Sequence, residues 1–213
     1  MSKMVEEEAR PYVGNTPMTL IYNGTDTQLF RPSAHKIQNG KLNIITAAAF
    51  EERKGMHYII KALADYKNRN QIRYDIYGSG DKKYATYLSE LIKSNGLDNI
   101  VTLKGNVNNI AELLPKYNLF TLPSKGEAFA LSPIEALACG IPILVSDYPP
   151  YPEFVKSDFG YIVNREDKKA IHNCLNELLQ DKELLRSKSY AARKASEKFS
   201  WNCIVNQYIE LVK

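Results

Sequence analysis

The fold class of this chain is decided by PSKGEAFALSPIEALACGIPILVSD, residues 123–147. Ser132 stands where a helix N-cap is expected, and Glu135 follows three residues later, as in a capping box. Gly140 is placed to end that helix, because glycine readily adopts the left-handed conformation that follows a last helical turn. The apolar residues after it are typical of a buried strand. The stretch therefore predicts a loop, a helix of about two turns and a buried strand.

On both sides of this stretch, helical patterns alternate with short apolar runs. Met56, Ile59, Ile60 and Leu63 share one helical face, for example, and a strand-like run follows them. Apolar runs separated by helices indicate a parallel sheet covered on both faces. We therefore expect an α/β fold with a Rossmann-like parallel sheet of about six strands and a helical C-terminal tail. The predicted strands are LNIITAAAF (42–50), RYDIYG (73–78), IVTLKG (100–105), LFTLPS (119–124), ILVSD (143–147) and YIVN (161–164).

The first residues carry two further predictions. The acidic opening MSKMVEEEARPY predicts a short helix, and MTLIYNGTD (18–26) predicts a strand that runs into a turn, because Asn-Gly favours positive φ. The opening has no apolar core of the kind that a secretion signal needs, and the chain has no apolar stretch of membrane-spanning length. We expect a cytoplasmic protein without a transmembrane segment.

Composition excludes several classes of protein. Lysine and arginine number 28 against 24 acidic residues, and they are scattered, so no nucleic-acid partner is expected. Three distant cysteines fit neither a disulfide framework nor a zinc site, and Cys139 is expected to be a small buried residue. No metal site is expected either, because the three histidines have no companions at ligand spacing; they are His35, His57 and His172.

The helix that begins near Leu131 predicts an anion site. Its first N–H groups, up to Ile134, have no partner within the helix, and the helix dipole adds partial positive charge, which favours a phosphate. Glu127 in the preceding loop and Glu135 on the helix would both accept hydrogen bonds from hydroxyl groups. Together these features indicate a nucleotide-sugar site. The alternative is that Glu135 only completes a capping box and that Glu127 is only a solvated loop carboxylate.

Two other loops have some of the features of a phosphate site. In FEERKG (50–55), Arg53 and Lys54 can reach an anion and Gly55 allows close backbone approach, although such a pair is often only solvated. Gly78-Ser79-Gly80 follows a strand, but Lys83 stands where a dinucleotide-binding motif has its third glycine. The loop Tyr148–Pro152 reads as a rigid loop, with an aromatic wall beside a ligand as the alternative.

The ordered set of motifs resembles the retaining family 4 glycosyltransferases of the GT-B fold. The residues that carry the resemblance are Asn23-Gly24 with Asp26, Lys54-Gly55, YGSG (77–80), Gly105, the E-x7-E pair Glu127 and Glu135 followed by ALACG, Gly160, and FSW (199–201). The resemblance covers residues 20–213, which it makes the C-terminal, donor-binding domain. Residues 1–19 would be an N-terminal extension or an inter-domain segment.

The resemblance also implies roles for individual residues. Glu135 would accept hydrogen bonds from the nucleotide ribose, Glu127 would contact hydroxyls of the donor sugar, and Lys54 would neutralise the leaving diphosphate. Lys54 and Glu127 are thus the expected catalytic residues. Asn106 and Val107 resemble the segment that lies against the base. The remaining expected donor-binding residues are Arg53, Gly55, Phe129, Ala130, Leu131 and Ser132. No cofactor and no metal is implied, and the donor would be a UDP- or GDP-sugar.

The chain departs from the family in two motifs. Ala49 stands where members commonly have an arginine five residues before the lysine, and Arg53 is its nearest substitute. Ala128 and Ala130 replace two loop glycines, which restricts the backbone beside the sugar.

The resemblance reaches only one half of a GT-B enzyme. The expected partner is the N-terminal GT-B domain, either in the same full-length chain or as a separate subunit, and the acceptor is not identified. The expected activity is transfer of a hexose-type sugar with retention. The alternatives are a nucleotide-sugar-binding subunit without catalysis and a GT-B sugar-nucleotide epimerase.

Overall fold

The core of the protein is a six-stranded parallel sheet with the strand order β3-β2-β1-β4-β5-β6. The computed structural model describes residues 2–33 and 40–213. Ile44 of β1 pairs with Tyr74 of β2 on one side and with Leu119 of β4 on the other. The strand order therefore reverses between β1 and β4, the place where open parallel sheets bind ligands. The strands are β1 Leu42–Ala47, β2 Ile72–Tyr77, β3 Val101–Gly105, β4 Leu119–Leu122, β5 Ile143–Ser146 and β6 Gly160–Val163.

Helices cover both faces of this sheet. Ile44 and Ile45 are adjacent and fully buried, yet they belong to two different apolar clusters, because successive strand side chains point to opposite faces. One cluster takes in α2, α3 and α7, and the other takes in α4, α5, α6 and α8. The helices are α1 Lys3–Val13, α2 Met56–Ala64, α3 Lys82–Ser94, α4 Ile110–Leu113, α5 Leu131–Ala138, α6 Tyr151–Phe154, α7 Lys168–Gln180, α8 Lys182–Ser196 and α9 Trp201–Leu211.

The α/β prediction, the six strands, the short opening helix and the helical tail are confirmed. Gly140 ends α5 as expected: its φ is 68°, its N–H donates to the Leu137 carbonyl, and the next N–H, of Ile141, donates to Ala136. Within the described residues, no helix is both long enough and apolar enough to cross a bilayer.

The predicted strand over 18–26 is wrong. Among the described residues its backbone makes only one isolated bridge, in which Thr25 pairs with Ser200. A strand needs a neighbouring strand to accept its hydrogen bonds, and the described part of the chain places none beside this segment. Apart from that bridge, the segment forms no β-ladder with the described part of the chain.

The end of this segment is attached to the helical tail by hydrogen bonds and close packing. Thr25 N–H donates to the Phe199 carbonyl at 2.7 Å, and Trp201 N–H donates back to the Thr25 carbonyl at 3.2 Å. Gly24 lies against the indole of Trp201, since a Cβ there would come within 2.7 Å of the ring. The two motifs at opposite ends of the sequence, Asn23-Gly24 and FSW, thus form one contact.

Candidate functional site

The loops that follow β1 and β4 bring three charged side chains together where the strand order reverses. Lys54 Nζ lies 2.8 Å from Glu127 Oε1 and 3.0 Å from Oε2. Arg53 Nη1 lies 3.3 Å from Glu127 Oε2. Glu127 is only 8% exposed, so the interpretation of Glu127 as a solvated loop carboxylate is wrong. The two cations that face this carboxylate offset the cost of burying it.

Backbone contacts hold these two loops together. Lys125 N–H donates to the Arg53 carbonyl at 2.7 Å. Gly55 has a φ of 75°, and a Cβ at this position would lie 2.1 Å from the Pro123 carbonyl oxygen. The close approach that Gly55 permits is therefore between the two loops of the site. A side chain at this position would push them apart, and Lys54 away from Glu127.

Helix α5 begins two residues earlier than the capping-box prediction requires. Its N-cap is Ala130, with the extended angles φ −80° and ψ 121°, and no side chain caps the helix. The prediction that Ser132 is the N-cap is wrong, because Ser132 already lies in the first turn and Glu135 one turn further on. Within the described residues, the N–H groups of Phe129, Ala130 and Leu131 have no hydrogen-bond partner. An anion at this helix start would find its donors unoccupied.

The carboxyl group of Glu135 is not used by the protein's own hydrogen bonds. Glu135 is half-buried on α5, burial raises the pKa of its carboxyl above the ordinary value, and this carboxyl has no hydrogen-bond partner in the described part of the chain. A partly buried acceptor without a partner is expected to find one in a ligand. This position fits the ligand role better than the capping role.

The loop that leads into α5 is anchored by Phe129. Its ring packs against Tyr22, Phe154 and Phe199, with centroids 5.4 to 6.0 Å apart. Ala130 is also buried, whereas Leu131 is 44% exposed. The side chains of Phe129 and Ala130 therefore belong to the core, and only their backbone groups are available to a ligand.

Two of the expected donor-binding residues lie apart from the charged cluster. Asn106 and Val107 are exposed and follow β3, the edge strand, which is separated from β1 by β2. They share the carboxyl edge of the sheet with Lys54 and Glu127 without contacting them. Ala49 is exposed just after β1 and adds no charge to this edge.

The glycines of Gly78-Ser79-Gly80 have a structural role. A Cβ on Gly78 would lie 1.9 Å from the Ala48 carbonyl oxygen, and one on Gly80 would lie 2.8 Å from the Phe50 carbonyl oxygen. This loop therefore packs against the segment that leads to Arg53 and Lys54.

Sequence reasoning missed the support behind Glu127. The Glu127 N–H donates to the Pro149 carbonyl at 3.1 Å, and Ser124 Oγ lies 2.9 Å from the Tyr151 hydroxyl. Tyr151 is fully buried, so the loop Tyr148–Pro152 is fixed to the core, in agreement with its interpretation as a rigid loop. Its clustered prolines were the signal of rigidity, but nothing in the sequence showed which loop it would support.

The isolated histidines and cysteines take ordinary structural positions. His57 Nδ1 lies 2.8 Å from the Tyr84 hydroxyl, and His172 Nε2 lies 2.7 Å from the Ala62 carbonyl oxygen. Cys139 is buried, as expected, and burial raises the pKa of its thiol to about 12. His35 lies outside the described residues. The described residues contain no group of three metal-binding side chains.

Comparison with known proteins identifies the family. Residues 28–195 match the family model described as glycosyl transferases group 1. The chain belongs to this family. The match includes both loops of the charged cluster and the whole of α5.

Curated relatives of this glycosyltransferase domain have low sequence identity to it, but their alignments cover most of this chain. It is 27% identical over 203 residues to N-acetyl-alpha-D-glucosaminyl L-malate synthase of Bacillus anthracis, covering 91% of this chain and 53% of that protein. It is 28% identical over 191 residues to an MMP alpha-(1->4)-mannosyltransferase of Mycolicibacterium hassiacum, covering 87% of this chain and 46% of that protein. The chain thus spans about half the length of the curated relatives it matches.

Solved structures confirm the fold as one half of a GT-B glycosyltransferase. Sucrose-phosphate synthase of Thermosynechococcus elongatus matches with a TM-score of 0.87 and 24% identity, over 100% of this chain and 56% of that one. HepE of Anabaena, solved in complex with UDP-glucose, matches with a TM-score of 0.86 and 23% identity, over 98% of this chain and 61% of that one.

Proposed function

We propose that this glycosyltransferase domain is the donor-binding half of a retaining family 4 enzyme that transfers a hexose-type sugar from a nucleoside diphosphate. The observation that carries the proposal is the buried Glu127 facing Lys54 and Arg53, beside an α5 whose first N–H groups are free. Cations and unoccupied N–H groups suit a diphosphate, and the carboxylates suit hydroxyls. Structures of HepE with UDP and with UDP-glucose support a uridine donor.

The pairing of Lys54 with Glu127, at 2.8 Å, indicates how donor binding would rearrange these charges. A diphosphate is the stronger anion and would draw the ammonium group to itself, which leaves the Glu127 carboxylate free to accept from sugar hydroxyls. Binding of the diphosphate would thus prepare the sugar contact.

Catalysis in this proposal is electrostatic. Negative charge grows on the departing diphosphate, and both Lys54 and the uncapped start of α5 stabilise it, because preorganised donors need no rearrangement when the reaction occurs. Retention would follow a front-face route in which the leaving phosphate takes the acceptor proton. No protein nucleophile and no metal ion is assigned.

The arginine that is missing at position 49 would have contacted the diphosphate. Arg53 lies beside Lys54 and already contacts Glu127 and Glu51, at 3.3 Å and 2.6 Å. We infer that it supplies the second cation from this neighbouring position. Its pairing with Glu51 would have to weaken as a diphosphate binds.

The proposed partner is an N-terminal GT-B domain, whether in the same full-length chain or as a separate subunit. The chain spans about half the length of its curated relatives, and the segment at 18–26 packs beside α9. Apolar side chains of α9 are exposed along the same region, among them Val205, Tyr208 and Ile209. Residues 1–19 would form the connection between the two domains.

A thermal-shift panel followed by calorimetry tests this function. UDP, GDP, ADP and their sugars are screened, because a ligand that binds only the native state raises the melting temperature. The best nucleoside diphosphate and its sugar conjugate are then titrated into the wild type and into Glu127→Gln. We expect the wild type to discriminate between the two ligands and Glu127→Gln to lose that discrimination. Absence of stabilisation by every nucleotide would contradict the proposed function.

A second function, a subunit that binds nucleotide-sugar without turnover, is favoured by the missing arginine at Ala49. Mixing the chain with a candidate N-terminal half and assaying sugar transfer distinguishes the two. Transfer supports the enzyme, and binding without transfer in the reconstituted pair supports the subunit.

A further inference from the structure

A pocket of about 280 Å³ opens at the carboxyl ends of β5 and β6. Asp147 follows β5 directly and Asn164 follows β6 directly, so both belong to the sheet edge that holds Lys54 and Glu127. Tyr148, Arg165 and Glu166 complete its lining. None of these residues has a role in the function proposed above.

Arg165 is held in this pocket by aromatic rings. Its guanidinium carbon lies 4.8 Å from the ring centroid of Tyr58 and 5.1 Å from that of Tyr148. The Tyr58 hydroxyl in turn donates to Glu166 at 3.2 Å, which ties α2 to the loop after β6. The guanidinium has no hydrogen bond and no ion pair among the described residues. Stacking leaves the N–H edge of a guanidinium available, so Arg165 is positioned but unoccupied.

The other polar groups of the pocket are similarly available. Asp147 has no partner for its carboxylate in the described part of the chain, and Asn164 uses only its oxygen, which accepts from Glu166 N–H at 2.9 Å. The pocket therefore presents free donors and free acceptors together. Asp147 and Glu166 would repel an anion, and Arg165 would repel a cation. A neutral ligand that both donates and accepts, as a sugar hydroxyl does, satisfies all of these groups.

The position of the pocket relative to the charged cluster indicates which sugar it takes. Tyr58 lies in the first turn of α2, four residues after Lys54 in sequence, and Tyr148 precedes Pro149, whose carbonyl accepts from the Glu127 N–H. Along the strand order, β3 lies on one side of the diphosphate position and β5 and β6 on the other. If the base lies at Val107, after β3, the pocket lies on the sugar side, beyond the carboxylate assigned to the donor sugar.

We propose that this pocket is a saccharide subsite for the acceptor, in which Arg165 and Asp147 bind its hydroxyl groups. The inference rests on the proposed function, which supplies the orientation of the donor. It names a substrate class for the acceptor, a hydroxyl-rich sugar, that is independent of the identity of the donor base.

NMR titration of the isotope-labelled chain tests the subsite. Methyl α-glycosides of glucose, mannose, galactose and N-acetylglucosamine are added with and without saturating UDP. We expect at least one glycoside to shift the resonances of Asn164, Arg165 and Tyr148. Arg165→Gln should weaken that binding tenfold or more and leave the UDP dissociation constant within twofold. Arg186→Gln, which removes an exposed arginine on α8, is the matched control and should change neither.

Several outcomes would overturn the proposal. The subsite is wrong if no glycoside shifts these resonances, or if inorganic phosphate produces the same shifts. It is an acceptor site only if UDP-glucose leaves glycoside binding intact; displacement by UDP-glucose would assign the pocket to the donor sugar. Asp147→Asn repeats the test if Arg165→Gln does not fold. Failure of UDP itself to bind contradicts the proposed function, and the titration without UDP then decides the subsite separately.

Discussion

At the scale of single residues, Lys54 and Glu127 form the contact on which the proposed site depends. They are 73 residues apart in sequence and 2.8 Å apart in space. Lys54 is 13% exposed and Glu127 8%, so each compensates the other's burial. A diphosphate that competes for Lys54 would meet a charge already in position, which is how preorganised sites avoid the entropy of ordering a long side chain.

Removal of Lys54 should weaken diphosphate binding. We expect Lys54→Ala to lower the affinity for UDP by about 1–3 kcal/mol, the range for a charge-assisted hydrogen bond to an anion. Calorimetric titration measures this loss. Lys168→Ala is the control, since Lys168 pairs with Asp65 on the surface. Equal affinity for UDP and uridine in the wild type would mean that the site binds no phosphate.

His57 should make the stability of the protein depend on pH. Burial, reinforced by the positive charges of Lys61 and Arg165, lowers the pKa of His57 to about 4 from an ordinary value of 6.5. Between these values the unfolded chain binds a proton that the native state does not, so stability is complete above pH 6.5 and falls as pH drops towards 4.

We expect this histidine to account for on the order of 2 kcal/mol of the loss across that window. Urea unfolding of the wild type and of His57→Gln at pH 7 and at pH 4.5 gives the difference. Equal pH dependence in the two proteins would show that His57 is charged in the native state.

At the scale of elements, α5 combines a weak helix start with the proposed phosphate position. Ala130 supplies no capping oxygen, and Pro133 supplies no N–H, so the donors of the first turn are few and unoccupied. A helix that leaves its N-cap to a ligand gives up stability for binding.

Restoring the cap should separate these two properties. We expect Ala130→Ser to stabilise the protein by about 0.5–1 kcal/mol, because a serine N-cap satisfies a free N–H, and to weaken UDP binding for the same reason. Ser132→Ala is the control and should leave unfolding unchanged to within about 0.5 kcal/mol. A larger loss of unfolding free energy in Ser132→Ala would show that Ser132 is the N-cap. Denaturation and calorimetry of both variants decide between the two caps.

Arg193 joins three elements through their carbonyl groups. Its guanidinium donates to Thr27 and Phe30 before β1 and to Ala138 at the end of α5, at 2.7 to 3.1 Å. Arg193→Ala would leave these acceptors without their charged donor, and we expect a loss of about 2–4 kcal/mol in urea unfolding. Arg193→Lys should lose less stability than Arg193→Ala, because lysine keeps the positive charge although it lacks the forked N–H donors of the guanidinium. A loss under about 0.5 kcal/mol, as for an ordinary surface change, would show that the segment before β1 is held by other contacts.

The elements show what a sequence can and cannot predict here. Six strands were predictable because each is a short apolar run between helical patterns, and the end of α5 was predictable because Gly140 is needed for a positive φ. The start of α5 was not, since Ser132 and Glu135 have capping-box spacing although the helix begins at Leu131. The strand at 18–26 failed because pairing depends on a neighbour that local sequence does not contain. The Lys54–Glu127 pair could not be predicted, because it depends on the order of the strands in the sheet, and the spacing of residues in the sequence does not reveal that order.

At the scale of the whole molecule, the carboxyl edge of the sheet is arranged as one continuous surface. Exposed Asn106 and Val107 lie after β3, the charged cluster after β1 and β4, and the Arg165 pocket after β5 and β6. In the proposed function this order corresponds to base, diphosphate and sugar. Since the chain spans about half the length of its curated relatives, the opposite wall of this surface would come from the partner domain.

Mapping UDP on the chain by NMR tests whether the carboxyl edge of the sheet binds the donor nucleotide. Titration of the labelled protein should shift resonances of Lys54, Gly55, Leu131, Ser132 and Glu135, with weaker shifts at Asn106 and Val107, and should leave α9 unchanged. Uridine, which has the base and the ribose but no phosphate, should shift the residues after β3 and Glu135 and leave Lys54, Gly55 and Leu131 unchanged. The account is contradicted if UDP causes no shifts at saturating concentration, or if its shifts map to a surface away from the carboxyl edge of the sheet.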